Sequence, residues 1–156
     1  NVSFPANLAP VASACLTERR IPGGSPLIEL AATDGGGFPR NGLIQKLLPF
    51  YRLGYLSLKE IVEKCSVNPA ETFGLHQKGN LGIGADADIT VLDMKRLDAA
   101  MSFAGGKRIM DHGRVTGSGG TFLTTKAGVK TAQEMQLNYQ IADTQRSALY
   151  GERTAK

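Results

Sequence analysis

The fold class is indicated first by the stretch Leu27-Ile28-Glu29-Leu30-Ala31-Ala32-Thr33-Asp34-Gly35-Gly36-Gly37-Phe38-Pro39-Arg40. Residues 27–33 are mostly apolar and lie between a proline and the glycines, which is typical of a strand buried on both faces. Asp34 follows where that strand ends, and the next three glycines allow the backbone to approach a ligand closely. A carboxylate at the C-terminal end of a parallel strand is a common catalytic position in α/β proteins, but Asp also opens turns. The residues alone therefore leave a catalytic and a turn-forming Asp34 both open.

Composition argues against two classes of partner. The 156 residues include 18 Lys and Arg against 14 Asp and Glu, so the net charge is only +4. The basic residues are scattered and Trp is absent, which does not fit a nucleic-acid-binding face. No apolar run approaches the ~18–20 residues that span a bilayer. We therefore expect neither a nucleic-acid partner nor a membrane.

The two cysteines bear on the cellular compartment of the protein, and the first residue bears on whether the chain is a fragment. Cys15 and Cys65 are far apart and belong to no CxxC pair. Two free thiols in a reducing compartment are the simpler expectation, although a disulfide between them stays open. We expect a cytoplasmic protein. Because the chain begins with Asn1 and not Met, we also expect it to be a fragment of something longer.

Several helices are predicted from periodicity and end signals. One lies between Pro10 and Arg20, and another has an apolar face from Leu43 to Tyr51 that Pro49 is expected to kink or end. A capping box at Ser57–Glu60 begins the next helix, with an apolar stripe at Leu58, Ile61, Val62 and Cys65. Asn68 is predicted to cap a further helix, with Pro69 at its first position, Glu71 at its third and Gly74 as its terminator.

Short strands and turns are predicted after Lys78. The β-branched run 88–93 predicts one strand. Residues 107–110 and 114–116 predict a hairpin in which Gly113 takes a positive φ. Residues 121–125 predict another strand. Residues 130–150 are polar and weakly periodic, which leaves a surface helix, an extended arm and a partly disordered tail open.

Two apparent site motifs do not hold up. Gly82–Ala87 matches the GxGxxA dinucleotide pattern, but that pattern needs a preceding strand and a following helix, and the order here is reversed. His76 and His112 are the only imidazoles and form no metal-ligand pair. We expect both histidines at the surface.

Residues 68–93, NPAETFGLHQKGNLGIGADADITVLD, resemble the C-terminal signature of the amidohydrolase superfamily. In that family a helix carrying NPA is followed by G-x-(I/L)-x-x-G-x-x-A-D and a strand. Gly113-Arg114-Val115 resembles the family's later G-x-x-V strand, and Asp34 falls about where the eighth barrel strand delivers a catalytic Asp. Residues 33–37 are similar to the S-D-G loop of isoaspartyl dipeptidases and D-aminoacylases. They lack the His that follows Asp in dihydroorotases and hydantoinases.

The resemblance implies an α/β fold made of the C-terminal part of a (β/α)8 (TIM) barrel plus the C-terminal strands of a small flanking β-sandwich. Residues 1–76 would be the end of the barrel, with the eighth strand and the helices after it. Residues 77–125 would be sandwich strands, and residues 126–156 a polar C-terminal tail.

The resemblance also implies a chemistry. Such enzymes hydrolyse C–N bonds of amides or cyclic amides with one or two divalent metal ions, most often zinc, that activate a water molecule. Asp34 matches the residue that ligates the metal and shuttles the proton. Gly35, Gly36 and Gly37 would line the mouth of the site, and Arg40 is a candidate for binding a substrate carboxylate. The expected partners are a small-molecule amide substrate and further copies of the chain, as a homo-oligomer.

The departures from the family pattern define the alternatives. The first-strand His-x-His, the middle-strand Lys or Glu bridge and two later His ligands are absent, so a usual catalytic zinc site is incomplete. We therefore expect the chain alone to be inactive and without zinc. One alternative is a non-catalytic, truncated amidohydrolase-like module that acts through subunit association. Another is a small-anion binder that uses the glycine loop and Arg40.

Overall fold

The computed structural model describes residues 16–18, 24, 26, 28–32, 42–117 and 120–147. Helices and strands are mixed, as an α/β chain requires. The chain divides into two compact units, residues 1–65 with 94–98, and residues 66–93 with 99–156. Each unit is described by itself below. Among the described residues, no helix has the length and apolar character needed to cross a bilayer.

The first unit contains helix α1, Leu43–Arg52, as the periodicity predicts. Leu47 and Leu48 are buried on its inner face. Pro49 does not end the helix, which continues three residues further, and the Pro49 carbonyl accepts a hydrogen bond from the Leu53 amide at 2.9 Å. The flanking turns thus keep the helix intact, although proline removes one amide hydrogen bond and its ring crowds the preceding turn.

Helix α2, Leu58–Val62, begins with the predicted capping box. The Glu60 amide donates to the Ser57 hydroxyl at 3.2 Å, and the Ser57 amide donates to the Glu60 carboxylate at 2.8 Å. Ile61 is buried against the first unit's core, whereas Val62 is 48% exposed and is not part of the inner face. The predicted apolar stripe is therefore correct at Ile61 and wrong at Val62.

The helical path continues without a break from α2 through a π-helical segment, Glu63–Val67, into helix α3, Asn68–Thr72. The prediction that Asn68 caps a new helix is wrong. Val67 already has helical φ and ψ, so no free helix N-terminus exists at Asn68. The π segment widens the turn just before Pro69, where a proline would otherwise clash with the preceding turn.

Gly74 ends α3 as predicted. Its φ of +66° is left-handed, and its amide donates to the Glu71 carbonyl while the Leu75 amide donates to the Ala70 carbonyl. These two bonds form a Schellman motif. Space also requires glycine here, because a Cβ would fall 2.2 Å from the backbone oxygen of Asp143.

The second unit contains a four-stranded sheet in the order β1-β2-β3-β4. Its strands are β1 Ile89–Asp93, β2 Asp98–Ala104, β3 Lys107–Asp111 and β4 Arg114–Val115. The predicted strand over 88–93 and the predicted hairpin are confirmed, and Gly113 has a φ of +84°. His112 also has a positive φ, +45°, as a two-residue type I′ turn requires.

Strand β2 was not predicted from the sequence. It pairs antiparallel with β3, with Ala104 opposite Lys107, around the two-residue turn Gly105-Gly106. Both glycines have positive φ, +53° and +75°. The Gly-Gly pair was the sequence signal that could have predicted this hairpin. The strand was not predicted because β2 is rich in alanine, which has a low β-propensity.

The C-terminal residues fold where the sequence predicts a polar tail. Strand β5, Phe122–Thr124, agrees with the predicted strand and pairs in parallel with β6, Tyr139–Ile141. Helix α4, Val129–Glu134, connects them after a 3₁₀ turn and buries Ala132. A parallel pair needs a crossover of this kind, so a sequence with weak periodicity still encodes a β-α-β connection.

Residues 28–32 do not form the strand predicted for 27–33. Leu30 and Ala32 are exposed, so the segment is not buried on both faces. Within the described part of the chain, no strand ladder forms along residues 28–32; Ala31 instead donates its amide hydrogen to the Lys64 carbonyl at 3.1 Å. A barrel strand would need ladder partners on both sides, and the described residues provide one helix contact instead.

The loop after α3 supplies a stability prediction. Gly79 has a φ of +76°, and a Cβ there would lie 2.8 Å from both the Ala70 Cβ and the Ser66 carbonyl oxygen. Gly84 has a similar φ, +88°, with nothing within 4 Å. Gly79→Ala should lower the free energy of unfolding by about 3 kcal/mol, and Gly84→Ala by about 1 kcal/mol, because only the first adds a backbone clash to the left-handed strain.

Urea unfolding of the two variants measures this difference. Equal losses in the two variants would mean that the Gly79 loop does not pack against the helix as described.

Candidate active site

The predicted site residues lie outside the described residues. All five lie in the stretch 33–41: Asp34, Gly35, Gly36, Gly37 and Arg40. The candidate site is therefore built from the segment that leads into it, residues 28–32, and from the helix that holds this segment.

Lys64 holds the segment at two points. The Lys64 ammonium donates a hydrogen bond to the Ile28 carbonyl, and the Lys64 carbonyl accepts one from the Ala31 amide at 3.1 Å. The Lys64 side chain is only 1% exposed, which is rare for a lysine. Its charged group is therefore directed inward, onto the chain that precedes Asp34.

Cys65 follows the buried lysine in the same π segment. It is a free, half-buried thiol. Burial raises the pKa of the Cys65 thiol to about 11, and the nearby Lys64 charge opposes this only in part. The thiol is therefore protonated near neutral pH and is suited to packing, not to nucleophilic attack or metal ligation. Cys15 lies outside the described residues.

The loop between α3 and β1 is fixed by a charged cluster. Lys78 lies between two carboxylates, with its ammonium 2.8 Å from an Asp86 oxygen and 2.5 Å from an Asp88 oxygen. The other Asp88 oxygen accepts a hydrogen bond from the Gly105 amide at 2.8 Å. The two aspartates of the Ala85-Asp86-Ala87-Asp88 motif thus connect the loop, the start of β1 and the β2–β3 turn, which is a structural role.

The same cluster shifts two pKa values in opposite directions. Hydrogen bonds to Asp86 and then Asp88 raise the pKa of Lys78 above its usual 10.5. Hydrogen bonds from Lys78 and then from the Gly105 amide hold the pKa of Asp88 below its usual 3.8. Both groups are therefore charged across the neutral range, so neither is suited to proton transfer there.

Neither the dinucleotide pattern nor the histidines form a site. Residues 82–87 are followed by strand β1 and not by a helix, so this loop does not open a helix that could hold a pyrophosphate. His76 and His112 are exposed, and the His112 Nδ1 lies 2.6 Å from a carboxylate oxygen of its neighbour Asp111. In the ranges that the structure describes, no three His, Cys, Asp or Glu side chains converge to hold a metal ion.

Lys64 and Lys78 were not identified from the sequence as important residues. A signal existed for Lys64, since it lies three positions after the buried Ile61, where an amphipathic helix places an apolar residue. Lysine is rarely buried, so this position was not assigned to the inner face, whereas Val62, one position after Ile61, lies off that face and is exposed. For Lys78 the signal was its spacing from two aspartates, which only the folded loop brings together.

Comparison with known proteins identifies the class. The model of the amidohydrolase family matches residues 31–120, more than half of the chain. The chain therefore belongs to the amidohydrolase family, as the resemblance of residues 68–93 predicts. The matched range includes the predicted site residues as well as the charged loop and the four-stranded sheet.

Three curated relatives share the name dihydroorotase. The chain is 46% identical over 50 residues to a dihydroorotase of Pyrococcus furiosus, which covers 32% of this chain and 12% of that protein. It is 42% identical over 75 residues to a dihydroorotase of Archaeoglobus fulgidus, covering 46% of this chain and 18% of the relative. A dihydroorotase of Methanothermobacter thermautotrophicus is 40% identical over 60 residues, 38% of this chain and 14% of the relative. No solved structure matches the chain.

The chain thus spans less than a fifth of the length of these curated relatives. Their shared name differs from the isoaspartyl dipeptidase and D-aminoacylase subgroup that residues 33–37 resemble. The subgroup resemblance stays a prediction.

The charged cluster supplies a pH prediction. Because the pKa of Asp88 is lower in the folded chain than in the unfolded one, its contribution is present above the unfolded pKa near 3.8 and is lost as the pH falls through the folded pKa. Asp88→Asn should lower the free energy of unfolding by up to about 1 kcal/mol at about pH 6, since the pair is partly exposed. The difference in the free energy of unfolding between wild type and Asp88→Asn should become smaller at about pH 3.

Thermal unfolding at both pH values measures the difference in stability between wild type and Asp88→Asn. Glu134→Gln, which removes the exposed partner of Lys130, is the control and should show little effect at either pH. A gap for Asp88→Asn that stays constant between the two pH values would contradict the assignment.

Proposed function

We propose that the chain is part of a metal-dependent hydrolase that cleaves the C–N bond of a cyclic amide. The observation that carries the proposal is the family match over residues 31–120, which includes Asp34. The names of the dihydroorotase relatives favour a ring substrate over a dipeptide. The activity belongs to the intact protein, and the chain alone is proposed to be inactive.

Asp34 is the proposed catalytic residue. Its carboxylate would ligate the metal, take a proton from the attacking water and deliver it to the leaving nitrogen. A divalent metal, most often zinc, lowers the pKa of a bound water and polarises the substrate carbonyl. Gly35, Gly36 and Gly37 would line the mouth of the site, and Arg40 would bind a substrate carboxylate in a bidentate manner.

The described residues do not provide a metal site by themselves. They contain no convergent set of three His, Cys, Asp or Glu side chains, and Cys65 holds its proton. In the proposal Asp34 is one ligand among several, and the rest of the intact protein supplies the others. No step is assigned to a residue of the charged cluster around Lys78.

The proposal extends to architecture and assembly. Residues 1–76 would belong to the end of a (β/α)8 barrel, and residues 77–125 to the strands of a flanking β-sandwich. The exposed apolar side chains of Leu81, Ile83 and Val115 support association with further protein surface, as in a homo-oligomer. They equally favour the alternative of a non-catalytic module that acts through subunit association. The cytoplasm is the proposed location.

Replacing Asp34 tests the function. In the intact protein that contains this chain, with zinc supplied and a cyclic amide such as dihydroorotate as substrate, Asp34→Asn should lower kcat by about 10³-fold, because it removes a proton shuttle and a metal ligand. Substrate hydrolysis and zinc content are measured on the same samples. Asp111→Asn, on the exposed hairpin, is the matched control and should retain wild-type turnover.

Two results would count against the proposal. Wild-type turnover by Asp34→Asn would make Asp34 a turn residue. An intact protein that hydrolyses no cyclic amide but associates through this chain would favour the non-catalytic module.

A further inference from the structure

We propose that Lys64 is a positioning residue, which fixes the segment preceding Asp34 and so sets where the Asp34 carboxylate lies. The inference rests on the proposed function, because it assigns Lys64 a role through Asp34. It does not make Lys64 a catalytic residue, and it requires no contact between Lys64 and substrate or metal.

The side-chain contact is the first observation. Lys64 is 1% exposed, and its ammonium donates to the backbone carbonyl of Ile28, 36 residues earlier in the chain. Burial of an ammonium group costs free energy, so an apolar residue here would serve packing alone at least as well. A contact that joins a helix to an irregular segment fixes position in a way that an apolar side chain does not.

The backbone contact is the second observation, and it has a cause in the sequence. Lys64 lies in the π segment, where a carbonyl accepts from the amide five residues later. Five residues after Lys64 is Pro69, which has no amide hydrogen. Pro69 therefore cannot donate to the Lys64 carbonyl, and the Ala31 amide donates to it at 3.1 Å. Side chain and backbone of one residue thus hold Ile28 and Ala31 together.

The anchor is close to Asp34 along the chain. Asp34 follows Ala31 by only three residues in the sequence, so few backbone torsions separate the anchor from the proposed catalytic residue. Displacement of a catalytic group by about 1 Å can cost about 100-fold in rate. An anchor three residues away is near enough to exert such control.

The test compares Lys64→Met with Lys59→Met. Methionine keeps the length of the lysine stem and removes the ammonium, whereas Lys59 lies on α2 with its side chain 85% exposed and pairs only at the surface with Glu63. In the 156-residue chain, hydrogen exchange of peptides covering residues 28–36 should become at least tenfold faster in Lys64→Met. Exchange in β1–β3 should stay at the wild-type rate, and Lys59→Met should change neither region.

In the intact protein with zinc and a cyclic amide, Lys64→Met should lower kcat about 10- to 100-fold with KM within about threefold, since Asp34 acts in the transition state. The zinc dissociation constant should rise about tenfold or more, as for residues that orient a metal ligand. If Lys64→Met does not fold, Lys64→Gln, which is also uncharged but retains polarity, replaces it with the same expectations.

Faster exchange with unchanged kcat and zinc affinity would overturn the proposal, since Lys64 would then only stabilise the fold. Wild-type exchange in residues 28–36 would overturn it as well. The two proposals fail separately. Wild-type turnover by Asp34→Asn removes the proposed function, whereas an inactive Asp34→Asn together with a wild-type Lys64→Met removes only the positioning role.

Discussion

The missing amide hydrogen of Pro69 is the constraint on which the arrangement around the candidate site depends. Because Pro69 does not donate to a carbonyl in the preceding turn, the helix passes through a π segment and the Lys64 carbonyl accepts the Ala31 amide instead. The Lys64 side chain lies on the same helix face as the buried Ile61, three positions earlier, and its ammonium bonds Ile28. Pro69 thus bears on the backbone anchor of the segment that leads to Asp34, and the helix face on the side-chain anchor.

The remainder of the family signature has a structural explanation in this chain. Two constraints require glycine at Gly74 and Gly79. Each residue has a left-handed φ, and a Cβ at either position would clash with backbone atoms. Lys78 and the two aspartates of the Ala85–Asp88 motif join the loop to the sheet through ion pairs and the Gly105 amide. These residues keep the loop in place beyond α3 and carry no proton-transfer chemistry, since their shifted pKa values keep them charged near neutral pH. The motif that identifies the family is therefore distinct from the residue proposed to catalyse.

Local signals predicted those parts of the fold that depend on a few neighbouring residues. The Ser57–Glu60 box, the Gly74 terminator and the Gly113 turn are decided by backbone groups within four residues, and all three are confirmed. The predicted strand at 27–33 is wrong because a buried strand depends on distant ladder partners that the apolar run does not reveal. The buried Lys64 was missed because lysine is almost never fully buried, although its position three residues after Ile61 lies on the inner helix face. Of the candidate site, the sequence could indicate Asp34, Gly35–Gly37 and Arg40 through a family resemblance, and these stay predictions.

The exchange rate of the Ala31 amide, followed by NMR in the 156-residue chain, tests the central claim most directly. If Lys64 holds the segment as described, this amide is protected to an extent similar to the amides of α2. Pro69→Ala restores an amide hydrogen that competes for the Lys64 carbonyl, so it should reduce Ala31 protection at least tenfold while α1 stays protected. An Ala31 amide that exchanges as fast as in an unstructured peptide, or that is unaffected by Pro69→Ala, would contradict the account.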